Sequence, residues 1–351
     1  MINETILTKA IEMAQEGLAK DPITDYPGEL EVNQLIYVRK SEKDEVTLDN
    51  MEDPEKPEMV TQQLDLFFDV DNDKYDPEKN VKVRVNSSKD WGRVDWTTGQ
   101  LIDKDAEPVE VDKVILNIHG GSFNRGCSGN NMIFTKKYSQ ELDCPVFSID
   151  YRLAPKTKFP GGLSDCFHVF LWLTHYAENT LQLKFKKIII EADSAGGNIG
   201  LAMTNLLIMK DLNVPTGLCL SYPATNLNRA SFSPSTILAI DDLMLNFHYL
   251  PMVLNMYLTQ KYEQHYLASV KETPESILKK YPPVKFIIGE NDPLRDDILR
   301  MQLKLLKSGV KAESTIFKHC FHGFMGHAVF PEELPIKPIA VDKITSELTS
   351  F

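Results

Sequence analysis

The chain has 351 residues, enough for one large α/β domain, and its 42% hydrophobic and 25% charged content is that of a folded protein, neither disordered nor fibrous. A formal net charge of −12 argues against any partner held through phosphates, so nucleic acid is not an expected ligand. Five cysteines without paired spacing read as buried thiols of a reducing compartment, and neither a signal peptide nor a run of about 18 apolar residues is present, which predicts a soluble cytoplasmic protein.

Residues 2–20 set Ile6, Ala10, Met13, Ala14 and Leu18 along one stripe and predict an amphipathic helix packed against the main body. Its polar face carries more acid than base, unlike a membrane-surface helix. Residues 41–58, dense in Asp, Glu, Lys and Pro, read as a solvated loop. Alternating stretches at 60–70 and 81–94 predict an outer antiparallel hairpin. Together, residues 1–110 are expected to form a helix, loop and hairpin layer that contributes to a cap.

From residue 111 the pattern changes to short apolar runs at 114–118, 145–149, 188–190, 217–220 and 284–288. Helical segments near 134–142, 163–177, 199–210 and 296–308 separate most of them, and this βα order predicts a mostly parallel sheet between helices. The stretch 225–282 interrupts the alternation with a Met- and aromatic-rich apolar segment, 243–257, and is expected to be a helical cap insertion in a domain running from 111 to 351. Its apolar stripe can serve as core packing or as an acyl-binding wall.

Three patterns carry chemistry. The run Ile188-Ile-Ile-Glu-Ala-Asp-Ser194-Ala-Gly-Gly breaks from a strand into a helix through a serine flanked by Ala192 and Gly196. Small residues at those two positions let strand and helix approach closely, so Ser194 is held on a sharp, exposed turn as a nucleophile. The glycine-rich turn His119-Gly120-Gly121-Ser122 follows the strand 114–118; the amides of Gly121 and Ser122, with that of Ala195, are the expected donors to an oxyanion, and His119 and Gly120 support the turn.

A serine hydroxyl needs a base, and His322 stands on a loop beyond the run 313–317 with a glycine after it. His319 and His327 are near in sequence, but the three lack the carboxylate or cysteine set of a metal site. Asp292, where the run 284–288 ends, is placed to orient the imidazole. Asp296 and Asp297 are rivals better suited to the start of the next helix.

These blocks resemble the hormone-sensitive lipase family of α/β-hydrolases. They are 119–123, Asp150-Tyr-Arg-Leu-Ala-Pro155 with Phe159-Pro160, Asp193-Ser-Ala-Gly-Gly197, Tyr222-Pro223, Asp292-Pro-Leu-Arg-Asp296 and His322-Gly-Phe324. The segment 233–257, with Pro282-Pro283, is nearest the mammalian members. The resemblance covers roughly 110–345 and implies an α/β-hydrolase fold with hydrolysis of carboxylic esters or acylglycerols through an acyl-enzyme. Ser194, His322 and Asp292 would be nucleophile, base and orienting acid, and neither metal nor organic cofactor would be needed. Acylglycerol substrates would bring transient contact with a lipid surface such as a droplet. Two departures stand out: Ala192 replaces the first glycine of the elbow, and Ser122 the third glycine of the oxyanion turn. The alternatives are an amidase or peptidase of the same fold, or a non-catalytic small-molecule receptor like the plant gibberellin receptors, which have lost the histidine that is present here.

Overall fold

The structure is a computed structural model that describes residues 32–40, 76–239, 242, 244–246, 249–326 and 336–351. The predicted helix at 2–20, the acidic loop at 41–58, the alternating stretch at 60–70 and His327 lie outside the described residues.

Ten strands are described in chain order. They are β1 Val32–Arg39, β2 Asn80–Ser87, β3 Val94–Asp95, β4 Gln100–Leu101, β5 Val109–Ile118, β6 Val146–Asp150, β7 Leu183–Asp193, β8 Gly217–Ser221, β9 Val284–Gly289 and β10 Ala312–Phe317. The longer helices are α1 Met132–Leu142, α2 Gly161–His175, α3 Ser194–Met209, α4 Tyr249–Tyr257, α5 Arg295–Lys307 and α6 Ile336–Thr349. Eight strands form one sheet in the order β1-β2-β6-β5-β7-β8-β9-β10, and β3 pairs with β4 in a separate small hairpin. From β6 to β10 every pairing is parallel, and only β2 runs against its neighbours. The mostly parallel sheet read from the βα alternation is therefore the observed one.

Burial on both faces explains why the central strands read as unbroken apolar runs. On one face Leu116, Ile118 and Ile190 pack against Phe167, Phe170, Met203 and Leu206 of α2 and α3. On the other, Ile115, Ile189, Cys219 and Ile287 meet Tyr138 of α1 and Ile344 of α6. The five cysteines are free, and four of them are buried.

The predicted outer hairpin is corrected in its partner and its place. Strand β2 does alternate, with Val81, Val83 and Val85 buried, but it pairs with β1 on one side and β6 on the other. The described part of the first 110 residues thus contributes strands to the main sheet. An alternating pattern reports that one face is covered; it carries no information on which strand supplies the hydrogen bonds.

Close approach of α3 to the sheet depends on Gly196. A Cβ there would fall 2.0 Å from the Ile118 carbonyl oxygen and 2.5 Å from that of His119, backbone atoms with no room to give. Gly196→Ala is expected to cost about 3 kcal/mol of stability, seen as a lowered Tm in calorimetry; an unchanged Tm would mean that the helix can slide off the strand ends freely. Among the described residues, no helix is long and apolar enough to cross a membrane.

Candidate active site

Strand β7 ends at Asp193 in extended backbone (φ −123°, ψ 146°), and Ser194, the first residue of α3, turns abruptly to φ +50°. A left-handed non-glycine residue at this corner costs about 1–2 kcal/mol, which the packing of α3 against the sheet must offset. The turn exposes Oγ beyond the carboxyl ends of the strands, and it stands 2.8 Å from His322 Nε2. His322 comes from the loop after β10, and its Nδ1 lies 3.1 Å from both carboxylate oxygens of Asp292, in the turn after β9. Asp292 and His322 are 1% and 4% exposed, so their interaction is little screened by water.

Backbone bonds tie the two loops together: Glu290 N donates to the Phe317 carbonyl at 2.9 Å and Asn291 N to that of Cys320 at 2.8 Å. Asp292 Oδ1 also accepts from Leu294 N at 2.8 Å, and the Tyr222 ring meets the imidazole edge-on with centroids 5.0 Å apart. Burial works to lower the His322 pKa, yet the charge and hydrogen bond of Asp292, with the charges of Asp242 and Asp193, outweigh it and hold the pKa above the ordinary imidazole value. The rival acids serve elsewhere. Asp296 accepts from Ser235 N and Arg295, while Asp297 accepts from Asn226 and Ser233 N. His319 is an exposed side chain 3.6 Å from Glu290.

The glycine turn is held by the residue before the serine. Gly120 N donates to Asp193 Oδ1 at 2.8 Å, Asn131 Nδ2 donates to the same oxygen at 2.9 Å, and a Cβ on Gly120 would collide with Asp193 Oδ2. His119 is buried; its Nδ1 lies 2.6 Å from the Gly120 carbonyl, and its ring stacks on Tyr151, whose hydroxyl donates to the His119 carbonyl at 2.9 Å. Burial lowers the His119 pKa, in keeping with a neutral ring that donates to Gly120. Burial raises Asp193, against the lowering effect of the Asn131 and Gly120 hydrogen bonds. Glu191, two residues earlier on β7, is pushed up to about 8 by burial and by Asp193, and it accepts from Asn117 Nδ2 at 2.5 Å. Both effects favour the neutral form of Glu191 beside the elbow.

Gly121 takes φ +111°, where a Cβ would strike the Arg125 carbonyl, and Ser122 and Phe123 follow at +55° and +61°. The serine that replaces the third glycine therefore sits in left-handed backbone at a cost. Among the described residues, the amides of Gly121 and Ser122 donate to no backbone carbonyl. The Ala195 amide belongs to the first turn of α3, whose N–H groups have no acceptor within the helix.

Ser122, Ser194 and Ala195 border a cavity of about 30 Å³ whose other walls, Asn226 apart, are apolar, among them Leu245, Leu250, Val253 and Leu254. The apolar stripe of the 225–282 insertion thus supplies both packing and pocket wall. The insertion is docked on α3 by Asn198 Nδ2, which donates to the carbonyl of Ala268 and to that of Ala224 just before the insertion, and by Asn205 Nδ2, which donates to that of Tyr266.

A family model described as alpha/beta hydrolase fold matches residues 115–326, well over half of the chain. The chain belongs to this family. Within it, this α/β-hydrolase is 33% identical to hormone-sensitive lipase of Mus musculus over 153 residues, 44% of this chain and 20% of that protein. The match to hormone-sensitive lipase of Homo sapiens is 34% over 152 residues and 14% of its length. The chain therefore spans about a fifth or less of the lipases it matches, and the resemblance read from the motif blocks is borne out over that shared region. An arylesterase of Saccharolobus solfataricus is 29% identical over 218 residues, 61% of this chain and 68% of that one. Among solved structures, the EstE1 thermophilic carboxylesterase from a metagenomic library superposes with a TM-score of 0.70 at 20% identity, covering 99% of this chain and 96% of that chain, which shows a shared fold.

Asp193, Asn131 and Tyr151 are the contributors that motif reading passed over. Asp193 stands inside a quoted block, so its place beside the serine was a usable signal. Asn131 carries none, because it meets Asp193 across 62 residues of chain.

Proposed function

We propose that this α/β-hydrolase is a serine carboxylic ester hydrolase acting on acyl esters or acylglycerols. The observation that carries the reading is the continuous hydrogen-bonded line from Ser194 Oγ through His322 to Asp292. In the first half-reaction Oγ attacks the ester carbonyl carbon while His322 Nε2 takes the hydroxyl proton. Negative charge gathers on the carbonyl oxygen, where the amides of Gly121, Ser122 and Ala195 are the donors we assign; loss of one such donor typically costs about 3–4 kcal/mol. Collapse releases the alcohol, which leaves with the proton from Nε2, and the acyl group stays on Ser194. Water then attacks the acyl-enzyme with His322 again as base, releasing the acid and restoring the serine.

The apolar walls by Ser194 suit an acyl chain, and the esterase and lipase names of the relatives agree with that chemistry. Met252, half exposed on the helix that supplies Val253 and Leu254, and the exposed Ile237 and Leu238 support transient contact with a lipid surface. A receptor would have no use for a buried base in bonding reach of the serine, and this favours the enzyme.

Purified protein is expected to hydrolyse p-nitrophenyl acetate and to take up one fluorophosphonate, located by peptide mass on the segment containing Ser194. No turnover across acyl lengths from acetate to palmitate, together with no adduct, would overturn the reading in favour of a binding protein.

A further inference from the structure

The oxyanion turn is built against the cap rather than standing free. Each of the three residues after Ser122 touches α4. The Phe123 ring stacks on Tyr257 with centroids 3.8 Å apart and planes 8° from parallel. Asn124 Nδ2 lies 3.8 Å from Met256 Sδ, and the Arg125 guanidinium sits 5.5 Å over the Tyr249 ring. Tyr257 is itself fixed: it is 3% exposed, its carbonyl accepts from Phe159 N at 2.8 Å, and the Phe159 ring meets it edge-on. From the other side, the Phe123 carbonyl accepts from Ala154 N at 2.9 Å.

Two successive non-glycine residues in left-handed backbone persist only where surrounding contacts hold them. Those contacts are supplied largely by α4, which also supplies Val253 and Leu254 to the pocket wall. Resting on the serine hydrolase reading, we infer that Tyr257 is a positioning residue for the oxyanion hole. Its ring, stacked on Phe123, holds the Ser122 amide at the place where the carbonyl oxygen becomes negative, and it couples that amide to the cap helix beside the acyl chain. Removing the ring frees the turn to relax, so the donor is lost in the transition state while ground-state binding is largely kept.

The test compares Tyr257→Ala, Tyr257→Leu and Tyr257→Phe in the full chain, with p-nitrophenyl acetate and butyrate as substrates and a methyl trifluoromethyl ketone as inhibitor. The ketone forms a hemiketal on the serine whose oxyanion rests on the same amides. With Tyr257→Ala, kcat on the acetate is expected to fall about 10²-fold at nearly constant KM, and ketone affinity to weaken by a similar factor. Tyr257→Leu, which keeps apolar volume without a stacking ring, should behave likewise if the alanine variant fails to fold. Tyr257→Phe should recover most of the rate.

If kcat on the acetate and ketone affinity hold in a folded Tyr257→Leu variant, and only KM for the butyrate rises, Tyr257 is an acyl wall and the inference fails while the hydrolase reading stands. A wild-type protein inert toward the acetate and unlabelled by fluorophosphonate would instead sink the hydrolase reading, and the inference with it.

Discussion

Ser194→Ala is expected to lower kcat for ester hydrolysis by about 10⁶-fold and to abolish fluorophosphonate labelling, with the fold intact by circular dichroism. The size follows from the chemistry. Among the described residues no other hydroxyl is bonded to His322, so under the proposed mechanism the variant loses the covalent route and leaves the base without its proton donor. Alanine inherits the +50° φ of the elbow, and the backbone of the turn has no new reason to move. Adding His322→Ala to Ser194→Ala should cost little more, because nucleophile and base act as one unit. Turnover by the single variant within about tenfold of wild type would place the nucleophile elsewhere.

Asp292→Asn is the second large effect, a loss of about 10⁴-fold in kcat at neutral pH. The carboxylate accepts from Nδ1 with both oxygens and from Leu294 N with one, which fixes the tautomer whose Nε2 lone pair faces Ser194. An amide of the same shape can turn its NH₂ toward Nδ1 and favour the wrong tautomer. The variant also loses the charge that raises His322 most strongly. The sign of the pH effect follows. As the proposed base, His322 works only when neutral, so with its pKa held up, wild-type kcat/KM should be lost as pH falls through a midpoint above about 6.5. In the variant burial still lowers the imidazole pKa while the main opposing charge is gone, so the midpoint should move to lower pH. A pH–rate series on both proteins measures the shift, and coincident acid limbs would deny Asp292 this role.

The two sites that answer these tests were visible to different degrees in the residues alone. Ser194 announced itself because a β-branched run, a small-x-Ser-x-Gly turn and a helical stripe are all local, set by contacts within a few residues. Asp292 and His322 were narrowed by their position at the ends of apolar runs and by order along the chain. That reasoning could rank Asp292 above Asp296 and Asp297 without placing any of them in space.

The sequence by itself determined the alternation of strands and helices, the parallel character of the sheet, the elbow and the glycine turn. Periodicity and backbone restriction act over short stretches of chain, and these features need nothing more. Only tertiary structure decided that β2 pairs with β1 and β6, that Asp193 and Asn131 clamp the glycine turn, and that Tyr257 stacks on the residue after Ser122. Each of these joins groups from 41 to 134 positions apart or belongs to a strand edge whose hydrogen bonds are the same for any sequence. Such contacts are chosen by the packing of the whole chain, and no local pattern records them.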